Sequence, residues 1–561
     1  MVFIGIIGIY WYLFFLLSVC LVLLVILVFI GIYFFATRLF GIYWDLIMLY
    51  LSIIFHMHQP YYKNLLTHET NMPWVRLHGV KDYLDMVELV QKYPSVHLTF
   101  NVVPSLLEQI EDYVNQNIKD KFLELSYKPA KELTPQDKQF ILEKFFSFDR
   151  ERGIAIHPRY YDLYLKNLAK KEFSTEDYLD LQVWFNLAWI DPSFRGAIPE
   201  LKDLVDKARF FTEEDKRIVL DKQAEILKNV IPAYKKAANS EQIEITLSPY
   251  YHPILPLLYN TKIAKEGNPR CVLPKTQFAY PQDVSGQIEE AVKFYISRFG
   301  LAPSGMWPSE ESVSEHILPY IIRQGIKWIV ADEAILFKSL KCKKRDTTLL
   351  YQPHILKRKD GELNIIFRDR NLSDLIGFVY HHWKAQDAVN DFMKHLENIT
   401  RAFNNQDVLV AIAMDGENAW EYYPNDGQDF LNELYTRLSD CPFLKTITPK
   451  EYLRKFPSHN QIKRLAAGSW IYAEFGKWIG NPYKNKAWES LAEARRQLQK
   501  LIDSGQNIDD LVFKQMYILE GSDWFWWYEE QPHPDFDKLF RTHLENFYTL
   551  INKTPPDSLK K

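Results

Sequence analysis

The sequence predicts an α/β protein built on a single parallel barrel, and three observations carry that expectation. Short apolar, β-branched runs alternate with segments of helical periodicity. Each run stops abruptly at polar residues, as strands do when they deliver side chains to one mouth of a barrel. The last run, Val408–Met414, is apolar without interruption. A strand buried on both faces, as in a parallel sheet, has that composition.

Residues 1–47 come first. Met1 to Thr37 hold no charged side chain and no His, and a membrane span needs only about 20 apolar residues. No basic stretch precedes the run and no small-residue cleavage site follows it, so it does not read as a signal peptide. Taken literally it is a membrane anchor, and Arg38 on its C-terminal side then places the globular part in the cytoplasm. The other reading is an extended reading frame, because Met48 makes a clean start for the first strand. Membrane contact is expected only through residues 1–37.

Leu49–Phe55 is that first strand, ending in His56 and His58, which point to one side of an extended chain. A helix is expected over Val80–Lys92, then a strand over Val96–Phe100 ending at Asn101. Residues 105–240 change to charged, helix-periodic segments and read as a helical insertion. Further strands are expected at Ile243–Leu247, near Gly305, at Trp328–Ala331, at Asn364–Phe367 and at Val408–Met414, making about seven. Beyond 430 the expectation is helices alone, so the domains are 1–47, a barrel over 48–430 and a helical domain over 431–561.

Composition closes off several classes. A net charge of −4 over 561 residues, with no basic stripe, argues against a nucleic-acid partner. Cys20, Cys271, Cys342 and Cys441 are scattered without a CxxC pair, so neither a zinc site nor a disulfide framework is expected. No calcium loop is evident. No cofactor and no metal is expected, and the oligomeric state is not indicated.

The chemistry-bearing residues sit where the strands end. Glu310 and Asp415 close two separate strands and could form a catalytic pair. Glycoside hydrolysis needs two carboxyls, one to protonate the leaving oxygen and one to attack the anomeric carbon or activate water. A strand-end Glu is more often solvated or paired, and Asp415-Gly416 alone reads equally well as a helix cap. Glu311 comes directly after Glu310, and on an extended chain only one of them faces the site. Trp307, Trp420, Trp524, Trp526 and Trp527 offer rings that can cover apolar sugar faces, with core packing the alternative for two or more of them.

Five stretches, in order, carry a resemblance. They are His56-Met57-His58-Gln59-Pro60, Ser248-Pro249-Tyr250-Tyr251-His252-Pro253, Gly305-Met306-Trp307-Pro308-Ser309-Glu310, Met414-Asp415-Gly416-Glu417 through Trp420, and Glu520-Gly521-Ser522-Asp523-Trp524 through Tyr528. With Phe367-Arg368-Asp369, they resemble glycoside hydrolase family 57, most like its amylopullulanase and α-amylase branch, over roughly residues 48–550. The resemblance implies an incomplete parallel (β/α)7 barrel, followed by a C-terminal helical domain that contributes to the cleft. It implies a retaining mechanism on α-glucans, with Glu310 as nucleophile and Asp415 as general acid/base. His56, His58, His252, Asp369, Glu417, Asp523 and the tryptophans Trp307, Trp420 and Trp524 would contact substrate. Asp415 would start protonated, and Glu417 two residues on would favour that by its like charge. Glu311 departs from the small residue expected there. The linkage, α-1,4 or also α-1,6, is left open.

Three rivals stand beside this reading. A 4-α-glucanotransferase would use the same site. A metal-dependent sugar deacetylase would bind zinc through His56 and His58, but lacks an obvious third ligand near the first strand, Asp82 being on a helix. A non-catalytic glycan-binding protein is disfavoured by the two intact carboxyls.

Overall fold

The computed structural model describes residues 48–556 apart from 71, 404, 405, 418 and 530. The anchor and reading-frame expectations for residues 1–47 therefore lie outside the described residues. Among the described residues, no helix is long and apolar enough to cross a membrane.

Seven parallel strands make the barrel: β1 (Leu49–Met57), β2 (Leu98–Val102), β3 (Ile243–Thr246), β4 (Gly305–Met306), β5 (Trp328–Asp332), β6 (Gly361–Arg368) and β7 (Val408–Asp415). They form two ladders, β7–β1–β2–β3 and β4–β5–β6. A parallel bridge from Leu247 to Met306 joins them at one seam. At the other seam β6 and β7 meet without a ladder, and the Asp369 N–H donates to Ala411 O at 2.8 Å. The ring is thus left open, as an incomplete barrel should be.

Period-two alternation decides what lines the interior. Tyr50, Ile54, Trp328, Val330, Ile366, Leu409, Ala411 and Ala413 form one inner cluster. Leu49, Leu51, Ile53 and Phe55 belong to the larger cluster that packs against the surrounding helices. Continuing the inner series to the strand ends brings His56, Asp332, Arg368 and Asp415 to the same mouth. Register fixes their level, with His56 opposite both Asp415 and Asn101, and Asn101 opposite Thr246.

Between β2 and β3 the chain is mostly helical. Its long helix Glu213–Asn239 packs on Leu84–Gln91 and Pro104–Val114. The helix expected from Val80 starts earlier, running from Trp74 through a π turn at Gly79–Tyr83 into Leu84–Gln91. Gly79 is needed there, since a Cβ would lie 2.3 Å from the Leu227 side chain. Beyond residue 430 the chain still makes two short strands where helices alone were expected. Leu444–Thr446 runs parallel to the start of β1 and Asn460–Gln461 parallel to His354–Arg358. Both are too short to show a period in the sequence. Later helices include Pro482–Asp503, Asp510–Leu519, Ser522–Trp526 and Pro534–Leu550, and the third of these brings Ser522 and Asp523 to the barrel mouth. They dock through an antiparallel bridge from Pro253 to Gly521 and a buried ion pair between Arg495 and Asp283, 2.6 Å apart.

Candidate active site

Five barrel elements converge on the mouth. β1 supplies His56, with His58 just beyond its end, β2 supplies Asn101, the loop after β3 supplies His252, and β7 ends on Asp415. The turn after β4 supplies Glu310. In that turn Glu310 and Glu311 both adopt left-handed backbone, with φ of 58° and 49°. Strain of this kind in non-glycine residues persists only where the surroundings enforce it. Its effect is to send Glu310 into the cleft and Glu311 into the protein interior, fully buried.

Three imidazoles stack behind Glu310. His58 and His252 lie 4.0 Å apart between ring centroids, and His56 lies 5.0 Å from His252. Trp307 backs the stack, 4.8 Å from His56 and within 13° of parallel. His56 Nδ1 pairs with Asn101 Oδ1 at 2.6 Å, and His252 Nδ1 with Ser522 Oγ at 3.0 Å. His58 Nε2 meets Asp523 at 3.0 Å, while its backbone N–H donates to Glu417. Burial, reinforced by His58, holds the His56 ring down to about 3. Burial and the same neighbours hold His252 well below the usual imidazole range. Neutral rings of this kind can each donate and accept, which suits sugar hydroxyls.

Glu310 is gripped by Trp470. The indole N–H donates to Oε2 at 2.8 Å and the Trp470 backbone N–H to the Glu310 carbonyl at 3.1 Å. Burial pushes the Glu310 carboxyl well above the usual range. The charge of Asp415 adds to this, as do Asp523 and Glu311, against the Trp470 bond. Glu417 is likewise raised by burial and by Asp415, and receives the Tyr83 hydroxyl at 2.8 Å.

Beneath the mouth lies a second charged group. Arg368 donates to Asp332 at 3.0 Å and to Ala413 O at 3.0 Å, and its guanidinium lies 5.1 Å from the Trp470 ring. Glu311 sits 3.9 Å from Arg368 and is pushed up to about 8, chiefly by burial.

The cleft has two adjoining parts. One, of ≈ 840 Å³, is bordered by His56, His58, Glu310, Asp415, Asp523 and Trp527 among others. The other, of ≈ 450 Å³, is bordered by Asp415 but not by Glu310. Trp470, Tyr422, Phe378 and Trp526 border both.

The structure brings together Glu310, Asp415, His56, His58, His252, Glu417 and Asp523. It does not bring every expected residue to the cleft. Trp307, Trp420 and Trp524 are buried core rings, at 1%, 2% and 1% exposure, so none is open to a sugar face. Asp369 turns away, capping the following helix through Leu372 N–H and holding Tyr351 and Arg345. Trp470, Asn101, Tyr83 and Ser522 were missed. For Asn101 a signal existed, since it ends a strand as His56 does. Trp470 lies in a loop with no periodic flank to mark it.

The third metal ligand sought near the first strand is absent there, but His58, His252 and Asp523 do gather ligand-type atoms within 4.8 Å of one another. Their geometry disfavours coordination. The His58 and His252 rings lie face to face, within 29° of parallel, so their in-plane lone pairs run side by side and do not converge on one point.

A parallel α/β barrel with coupled carboxyls in a cleft of oligosaccharide size, walled by neutral imidazoles and aromatics, is of the glycosidase class. The chain belongs to glycosyl hydrolase family 57, whose model matches residues 52–464. It is 27% identical over 265 residues to α-amylase 1 of Dictyoglomus thermophilum, a match covering 46% of this chain and 33% of that protein. The chain thus matches about a third of that relative's length. In fold it is similar to a family 57 branching enzyme from Pyrococcus horikoshii, with a TM-score of 0.60, 16% identity and 90% of each chain covered. It is similar also to an α-amylase from Thermotoga maritima, with a TM-score of 0.57, 14% identity and coverage of 90% and 93%.

Proposed function

We propose that the protein is a retaining α-glucan glycoside hydrolase. The observation that carries this is the placement of Glu310 and Asp415 on one cleft, beside His56, His58 and Asp523. Glu310 attacks the anomeric carbon and forms a glycosyl ester as Asp415 gives its proton to the departing oxygen. Water then attacks C1, passes a proton to Asp415, and Glu310 leaves as carboxylate. The Trp470 N–H stabilises Glu310 in its ionised form. His56, His58 and Asp523 hold the hydroxyls of the sugar undergoing cleavage, while His252, expected to join them, is fully buried and packs behind His58.

The test is reducing-end release from soluble starch and from pullulan. Glu310→Gln and Asp415→Asn are each expected to lower kcat by about 10²–10⁴-fold or more, and EDTA is expected to have no effect. Pullulan assigns the linkage. Activity that survives both substitutions, or that EDTA abolishes, overturns the site. A second reading, 4-α-glucanotransferase, is favoured by the roomy cavity on the Asp415 side.

A further inference from the structure

Glu310 and Asp415 stand on different ladders of the open barrel. Glu310 follows β4, in the ladder β4–β5–β6, and Asp415 ends β7, in the ladder β7–β1–β2–β3. Strand register within either ladder therefore does not fix the distance between them. A retaining site needs its two carboxyls about 5–5.5 Å apart, so something must hold the ladders together near the mouth.

At the seam between β6 and β7, side chains do what a ladder does elsewhere. Buried backbone groups need partners, and Ala413, two residues before Asp415, finds both of its partners on side chains. Its N–H donates to Ser373 Oγ at 3.2 Å, and its carbonyl accepts from Arg368 Nη1 at 3.0 Å. Arg368 is the last residue of β6 and is only 7% exposed. Its Nε donates to Asp332, at the end of β5, at 3.0 Å. Asp374 lies 3.7 Å from Nη2 and Glu311 3.9 Å from Nε. The guanidinium also covers the Trp470 ring, whose N–H is bonded to Glu310. One side chain thus reaches both carboxyls at one remove, Asp415 through the β7 backbone and Glu310 through Trp470. Packing alone does not account for a guanidinium here, because a charge is costly to bury. What it offers is a planar fork with donors in several directions and a face that stacks on an aromatic ring.

We infer that Arg368 is a positioning residue, which clasps the two ladders at the open seam and so sets the separation between Glu310 and Asp415. This rests on the roles proposed above for those two carboxyls.

The test measures kcat, KM and Tm of the full chain on a maltooligosaccharide. Arg368→Lys keeps a positive charge beside Asp332, but one ammonium cannot also hold Ala413 and cover Trp470. It is expected to lower kcat about 10²-fold with KM little changed, as a small misplacement of reacting groups does. Arg368→Ala is expected to lose as much. Guanidinium added to that variant can enter from the smaller part of the cleft, which Arg368 borders. It is expected to restore kcat about tenfold, where urea at equal concentration restores nothing. Arg370 is the control. It holds the same aspartate, with Nε 3.1 Å from Asp332, but makes neither of the other two contacts. Arg370→Ala is expected to lower kcat less than about fivefold. The inference is overturned if Arg368→Lys keeps wild-type kcat, if the whole effect falls on KM, or if Arg370→Ala lowers kcat as much. Folded Arg368→Ala that guanidinium does not rescue also overturns it. Should that variant fail to fold, Arg368→Lys against Arg370→Ala decides alone. Activity that survives in Glu310→Gln and Asp415→Asn would instead overturn the roles of the carboxyls, and with them the distance that Arg368 sets.

Discussion

Trp470 joins three things that a single side chain rarely joins. It hydrogen-bonds Glu310, lies under the Arg368 guanidinium and borders both parts of the cleft. A hydrogen bond to a charged group contributes about 1.5–3 kcal/mol. Trp470→Phe keeps a ring for Arg368 and deletes that bond. Steady-state kinetics on a maltooligosaccharide should show kcat lowered by roughly 10–100-fold with KM little changed. The acid limb of the pH–rate profile should move to higher pH, because the bond is what favours the ionised Glu310. An unchanged profile would mean that Trp470 only packs. The tryptophans that the sequence brings forward behave differently. Trp307, Trp420 and Trp524 lie within recognisable motifs, but motif membership does not distinguish a ring in the cleft from one supporting it. Tyr83 was hidden for another reason. It sits in a π turn, and a regular amphipathic helix was expected there.

The strands were the most legible elements, because burial on both faces leaves an apolar run that needs no partner to be seen. β4 is the exception. It has two residues, Gly305 and Met306, and was visible only through the Trp307-Pro308-Ser309-Glu310 segment beyond it. Gly305 has a physical reason to be glycine. A Cβ there would lie 2.2 Å from the Trp328 ring, which is fixed by its own N–H bond to Glu244 at 2.9 Å. Gly305→Ala should destabilise the protein by about 1–3 kcal/mol, the usual cost of overpacking a core. Chemical denaturation would measure it. A neutral result would mean that β4 can shift without disturbing β5. The short strands after residue 430 were not legible, since two or three residues carry no period, and pairing with β1 is a property of the folded barrel. Similarly, the convergence of His252, Ser522 and Asp523 depends on docking of the helical region, which no local pattern encodes.

At the scale of the molecule, the buried titratable groups predict how stability varies with pH. Burial is the leading cause for carboxyls raised to about 7 at Glu244 and about 8 at Glu311 and Asp426. These bind protons in the folded state that the unfolded chain has released. Their contribution is complete below the ordinary carboxyl value and is lost as pH rises toward 7–8. Buried histidines do the reverse. His56 and His157 are lowered to about 3 and His543 to about 4, so their contribution is complete above 6.5 and is lost as pH falls. Between about 4.5 and 6.5 the two slopes oppose each other. Calorimetric Tm measured from pH 3 to 9 should therefore show a plateau in that interval and a decline on both sides. Glu311→Gln should flatten the alkaline decline. A Tm still rising at pH 8 would contradict the burial of these carboxyls.

The docking of Ser522 and Asp523 onto His252 and His58 also sets an order of events during synthesis. All seven strands have been made once Asp415 is added, yet the residues that lid the imidazoles come about a hundred positions later, roughly 5–20 s at ordinary elongation rates. For that interval a nascent barrel carries Glu310 and Asp415 but not the far wall of its cleft, so chains released early would keep both carboxyls and lack Ser522 and Asp523 over the imidazoles.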